Sequence, residues 1–160
     1  MPEIDSAHYR QVLGHFPTGV TVITAVGPEG RPGGFAVGSF FSISLDPPLV
    51  GFCAGKSSSS WPGIRSAGAF CVNILAEDQE AACRAFSSKA EDKFAGLGWT
   101  PASSGSPKLD GVLAWIDCDI DAVHDAGDHE ICVGRVRELR VDREMGPLLF
   151  FRGGYGKFGV

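Results

Sequence analysis

Residues 53–68 read CAGKSSSSWPGIRSAG, and these are residue types that hold an anion. Lys56 offers a positive point charge, and Ser57 to Ser60 offer hydroxyl and backbone donors. Ser59 or Ser60 can cap a short helix running from Trp61 to about Ala67, with Pro62 where a missing N–H costs nothing. Free N–H groups at such a helix start favour an anion. Gly55-Lys56-Ser57 looks like the end of an ATP-binding P-loop, but that motif requires glycine at position 50, where Val50 stands. Gly51 is one place too late, and Trp61-Pro62-Gly63 is a poor opening for a long helix. The residues therefore argue against an ATPase. Two readings stay open on residue chemistry: a polar loop with a capped helix, or a phosphate site.

The remaining reactive residues form no familiar catalytic set. His8, His15, His124 and His129 show neither H-E-x-x-H nor a paired Cys/His spacing, so no zinc site is expected. His124 and His129 bracket the turn HDAGDH, which reads first as a hairpin turn. No G-x-S-x-G supports a Ser/His/Asp triad. GGFAVG at 33–38 fails the dinucleotide fingerprint and lies inside a strand-like run, where a glycine often marks close approach of a ligand or backbone. Cys53, Cys71, Cys83, Cys118 and Cys132 are odd in number and sit mostly in apolar runs, as buried thiols of a reducing compartment do.

The elements that position these residues belong to a chain of 160 residues, a one-domain length. It is 44% hydrophobic with a formal net charge of -5 and no basic run, which disfavours nucleic acid. No apolar stretch approaches a membrane span, and MPEIDSAHYR lacks the layout of a secretion signal. A cytoplasmic protein is expected.

Asp5 or Ser6 to about His15 reads as a helix, with Tyr9, Val12, Leu13 and Phe16 on one face. VTVITAV, FAVGSFFSISL, LVGFCA and AFCVNIL read as strands, the last two central because apolar throughout. AEDQEAACRAFSS reads as the second convincing helix, and WTPASSGSPKLDG as a loop. LAWIDCDIDAVHDA and HEICVGRVRELRVD pair as a hairpin across AGD. Leu113 and Trp115 are assigned to one face, with Asp117, Asp119 and Asp121 opposite as a solvated face. PLLFFRGGYGKF closes the chain as a final strand. Strands that do not alternate with crossover helices point to a mostly β protein, an antiparallel barrel with a few packed helices.

Seven stretches together carry a resemblance: FPTGVTVIT (16–24), SFFSISLDPPLV (39–50), KSSSSW (56–61), FCVNILAEDQ (70–79), DKFAG (92–96), AGDH (126–129) and FFRGGYG (150–156). In this order they resemble the short-chain flavin reductases, the reductase components of two-component flavin-dependent monooxygenases. The resemblance implies a flavin-binding antiparallel split β-barrel over residues 1–160, a homodimer, and reduction of FMN or FAD by NADH, with NADPH the less favoured co-substrate. It implies a flavin-dependent monooxygenase as partner.

It also implies a site. Ser59 and Ser60, with the backbone of Cys53, Ala54 and Gly55, face the flavin phosphate. Phe86, Ser87 and Lys89 approach it from the end of the second long helix. The ring lies along Phe35, Ala36, Gly38 and Ser39. His129 contacts and orients the nicotinamide, and Tyr155 is a second NADH contact. Many relatives carry a T-A-N-S-F-type segment where this chain has Ala36-Val37-Gly38-Ser39-Phe40, so ring contacts here fall to backbone groups and Ser39. Hydride transfer needs no side-chain nucleophile and no metal. Two other readings share the fold: an oxidase with tightly bound flavin, and a flavin-binding module without turnover.

Overall fold

Short β-branched and aromatic runs punctuated by glycine and proline make most of this chain strand. The computed structural model describes residues 2–159. Helix α1 (Ser6–Leu13) leads to β1 (Thr18–Gly19), β2 (Thr21–Val26), β3 (Pro32–Val37), β4 (Phe41–Ser44) and β5 (Leu49–Gly55). Helix α2 (Trp61–Ala67) and β6 (Ala69–Ile74) come next, then α3 (Glu80–Phe86) and the hairpin β7 (Trp99–Pro101) and β8 (Pro107–Leu109). The long hairpin β9 (Ala114–Ala126) and β10 (His129–Val141) precedes β11 (Leu148–Phe151) and β12 (Gly154–Lys157). The main sheet has seven strands in the order β3-β2-β6-β9-β10-β5-β4, every pair antiparallel. A three-stranded sheet, β1-β11-β12, stands beside it.

The seven-stranded ladder stays open between β3 and β4. It curls until Phe35 of one edge strand packs edge-on against Phe52 of β5, 6.0 Å between centroids and one strand short of the other edge. Phe52 also meets Trp61 and Phe70 edge-on, which seats α2 on the concave face. The buried Cys118 and Cys132 lie in this interior, and Cys71 is buried on the other face of the sheet with Leu75, Cys83 and Trp115. Burial pushes Cys71 and Cys132 up to about 12 and Cys118 higher still, so these thiols stay protonated and serve as small apolar groups.

Several expectations change. FAVGSFFSISL is two strands, β3 and β4, because the Ser39 hydroxyl stitches the bend to Cys53, donating to its carbonyl (3.1 Å) and accepting from its N–H (2.9 Å). WTPASSGSPKLDG holds the β7–β8 hairpin. The second helix is shorter than expected and begins at Glu80. The final run is a β11–β12 hairpin. β6 is central, whereas β5 is one strand from the edge.

Asp117 is the main correction. Trp115 and Asp117 are both buried, while Asp119 and Asp121 are exposed. Residues two apart share a strand face, so the tryptophan and this aspartate point the same way. A register shift lies beside Asp117, where Arg137 is the extra residue on β10.

Candidate functional site

Strand β3 is the floor of a trough with three joined hollows. The first, about 300 Å³, is lined by Thr18, Ala36, Val37, Gly38, Ser87 and Tyr155. The second, about 660 Å³, shares Ala36 and Ser87 with it and adds Phe35, Ser57, Ser59 and Lys89. The third, about 720 Å³, shares Ser59, Lys89 and Lys93 with the second and runs on to Gly33, Gly34 and Ser60. One end is apolar and shallow, and the middle collects hydroxyls and two ammonium groups. That donor set suits a flat ring system carrying a phosphate.

Each wall has a local cause. Gly38 lets β3 pass Thr18, since a Cβ there would stand 3.0 Å from the threonine hydroxyl. Gly34 admits the Phe86 ring, 3.1 Å from where its Cβ would be. Ser60 holds the N-cap position of α2, one of the two expected, but the hydroxyl that accepts at this end is that of Ser58, from the N–H groups of Ser60 and Trp61 (3.3 Å each). Ser60 accepts instead from Lys93 Nζ at 3.1 Å. The same ammonium donates to the carbonyls of Gly34 and Phe86, both at 3.4 Å, and so ties β3, α2 and the end of α3 together. Partial burial lowers the Lys93 pKa from its ordinary value.

The pattern of this chain matches the family described as flavin reductase like domain over residues 13–159. The chain belongs to the flavin reductase family. It is 55% identical over 157 residues to a flavin reductase of Pseudomonas putida, covering 98% of this chain and 92% of that protein. It is 53% identical to the reductase subunit HsaB of a flavin-dependent monooxygenase from Rhodococcus jostii, covering 95% and 77%. Among solved structures it superposes with a TM-score of 0.91 on the NADH:FAD oxidoreductase SgcE6 of Streptomyces globisporus in complex with NAD and FAD fragments. That pair is 34% identical over 99% of this chain and 98% of the other. The chain is thus an enzyme of the flavin reductase class, and its sheet and three helices are the family's.

In this flavin reductase the expected site residues divide into three groups. Phe35, Ala36, Gly38, Ser59, Ser60, Phe86, Ser87, Lys89 and Tyr155 all border the trough or its walls. Cys53, Ala54 and Gly55 lie outside it, paired to Ile131, Glu130 and His129 of β10, and the Ala54 side chain is buried. Ser39 is engaged with Cys53 and also lies outside. Lys56 is ion-paired with Asp125 of the long hairpin, so the cations beside the serines are Lys89 and Lys93.

His129 stands opposite Gly55, at the point where β5 runs into the serine loop. Its Nδ1 lies 2.7 Å from Asp128 Oδ1. A carboxylate accepts only, so Nδ1 carries the proton in this pair. That hydrogen bond holds the Asp128 carboxyl below its ordinary value. Nε2 lies over Gly55, 3.7 Å from where a Cβ would stand. The Tyr155 hydroxyl meets Cys83 Sγ at 3.3 Å, and this contact with burial raises the phenol to about 12. The guanidinium of Arg84 stacks 4.9 Å from the Tyr155 ring centroid.

Lys93 is the residue that sequence reasoning missed. Its signal was present in DKFAG at 92–96, a lysine next to a buried aromatic. Phe94 packs edge-on against Phe86 at 4.9 Å, which fixes the lysine at the trough.

Proposed function

We propose that this enzyme passes hydride from NADH to FMN or FAD and delivers the reduced flavin to a partner monooxygenase. The observation that carries it is the continuous trough on β3, apolar at one end with Ser59, Lys89 and Lys93 at its middle. The bound flavin supplies the hydride acceptor. The chain supplies placement, with Ala36, Val37 and Gly38 offering a flat floor and the serine hydroxyls and ammonium groups holding the phosphate. His129, donating from Nδ1 to Asp128, keeps Nε2 as an acceptor for the nicotinamide carboxamide and so orients it. The monooxygenase partner follows from relatives that are reductase subunits.

The test is absorbance at 340 nm with NADH and added FMN or FAD. Loss of NADH in proportion to free flavin supports the reductase. Consumption without free flavin favours an oxidase, and no consumption favours a binding module. His129→Ala raises KM for NADH with a smaller change in kcat, and unchanged NADH kinetics would remove His129 from the site.

The full chain acts as one domain in a split-barrel homodimer. Helix α1 buries none of its residues, and Tyr9, Val12, Leu13 and Phe16 are each more than half exposed. Phe150, Phe151 and Phe158 add apolar surface from the second sheet and the chain end. A patch of this kind is covered in a stable protein, and a second copy covers it here. Light scattering at twice the monomer mass is the expected result, and a monomer at micromolar concentration would refute it.

A further inference from the structure

Cys83 is set apart from the other buried cysteines. Cys71 and Cys118 turn their thiols to carbonyls of their own strands, at Val72 (3.8 Å) and Ile116 (3.9 Å). The Cys83 thiol instead meets the Tyr155 hydroxyl at 3.3 Å, 72 residues along the chain. The Ser87 hydroxyl is farther off, at 4.0 Å. Cys83 and Tyr155 both line the first hollow of the trough, together with Ala36, Val37 and Gly38 of the floor.

The Tyr155 ring needs such a contact. Strand β12 belongs to the smaller sheet and pairs there with β11. Its route to the floor strand passes through β1, where Thr18 pairs with Phe150 and lies against Gly38. That backbone route places the main chain of Tyr155 but leaves its ring a choice of staggered rotamers. The neighbours Gly154 and Gly156 have no side chains to pack against it. Side-chain contacts therefore choose the rotamer, and α3 supplies two of them from adjacent residues. Cys83 takes the hydroxyl, and the Arg84 guanidinium lies 4.9 Å from the ring centroid. Glu80, one turn earlier, holds Arg84 at 3.1 Å. Phe150 closes a third side, edge-on at 5.3 Å. Helix α3 is itself seated on the floor strand, where Phe86 fits against Gly34. The place of the Tyr155 ring relative to the floor is thus set through α3.

We propose that Cys83 and Arg84 are positioning residues for hydride transfer, holding the Tyr155 ring as a fixed wall of the first hollow so that the nicotinamide is confined against the flavin. The inference rests on the reading that this hollow is where the two rings meet. In that step NADH is oxidised to NAD+ and the flavin takes up the hydride, with its two electrons. The thiol, the phenol and the guanidinium exchange no atom or electron and act only through geometry. Transfer needs the reacting atoms about 3–3.5 Å apart, so a wall that gives way by about an ångström slows it.

The experiment follows anaerobic single-turnover reduction of bound FMN or FAD by NADH in the full-length protein. Fluorescence titration gives flavin affinity, and thermal melts check folding. In Cys83→Ala the reduction rate at saturating NADH falls about three- to tenfold, while flavin affinity stays within about twofold. Tyr155→Phe shows the same loss, and the double variant is no slower than Tyr155→Phe alone, because both changes remove one contact. Cys83→Ser keeps a polar atom toward the phenol and loses less than Cys83→Ala. Arg84→Met, an exposed change, slows the same rate about twofold. An unchanged rate in folded Cys83→Ala overturns the proposal, as does a double variant slowed by the product of the two single losses, or Cys83→Ser as slow as Cys83→Ala. Lost flavin affinity with the reduction rate intact places Tyr155 against the flavin alone and also overturns it. An unaltered protein that reduces neither flavin with NADH refutes the underlying reading of the site instead. If Cys83→Ala fails to fold, Tyr155→Phe decides, since it removes the same contact from the half-buried partner, and an unchanged rate there overturns the proposal.

Discussion

Two serine clusters in this protein look alike in sequence and behave in opposite ways. PASSGSP at 101–107 and KSSSSWP at 56–62 are both short polar stretches with proline. In the first, the buried Asp117 gathers the hydroxyls. Ser103 Oγ donates to it at 3.0 Å, Ser104 Oγ at 2.5 Å and the Ser104 N–H at 2.9 Å. Ser106 joins through Ser104 at 2.9 Å. In the second, the Ser58 hydroxyl accepts at the start of α2 and Ser60 meets Lys93, but Ser57 and Ser59 are exposed and make no side-chain hydrogen bond among the described residues. One cluster closes a hairpin onto a carboxylate, while the other faces a trough lined with lysine. A polar side chain already paired inside the fold holds structure, and one left unpaired beside a cation is available to a ligand.

Breaking the closed cluster has the largest expected effect. Asp117→Ala removes the buried acceptor of three hydrogen bonds and strands donors in a partly buried hairpin, a loss of about 2–4 kcal/mol. A lower urea midpoint at unchanged slope is the measurement. Flavin affinity stays as it was, because the hairpin borders no part of the trough. A midpoint within error of the unaltered protein would mean that water replaces the carboxylate, and the cluster is then no staple.

Asp117 also shows what sequence could and could not provide. The hairpin of β9 and β10, α2 and the runs of β2, β5 and β6 were legible, because apolar β-rich runs and turn residues announce them. The trough's floor and serines were legible through family motifs. Asp117 was misassigned because a row of aspartates suggests a wet face, and its burial depends on serines more than ten residues away in the chain. The break between β3 and β4 depends on Ser39 meeting Cys53, a contact no local pattern encodes. Lys93 was overlooked for the same reason, since its three partners come from three separate elements.

The smallest effect sharpens the comparison from the other side. Ser59 borders the second and third hollows, and no group of the fold depends on its hydroxyl. Ser59→Ala therefore leaves thermal stability within about 0.5 kcal/mol, the usual range for surface changes. A single hydroxyl donated to a phosphate contributes about 0.5–1.5 kcal/mol, so flavin affinity drops roughly two- to tenfold. Ser104→Ala gives the reverse pattern, with reduced stability and unaltered flavin affinity. Each variant is read twice, by thermal melt and by flavin fluorescence titration. If both lowered stability and neither touched flavin binding, the open serine run would be a second structural staple, and the phosphate would have to be held by Lys89 and Lys93 without it.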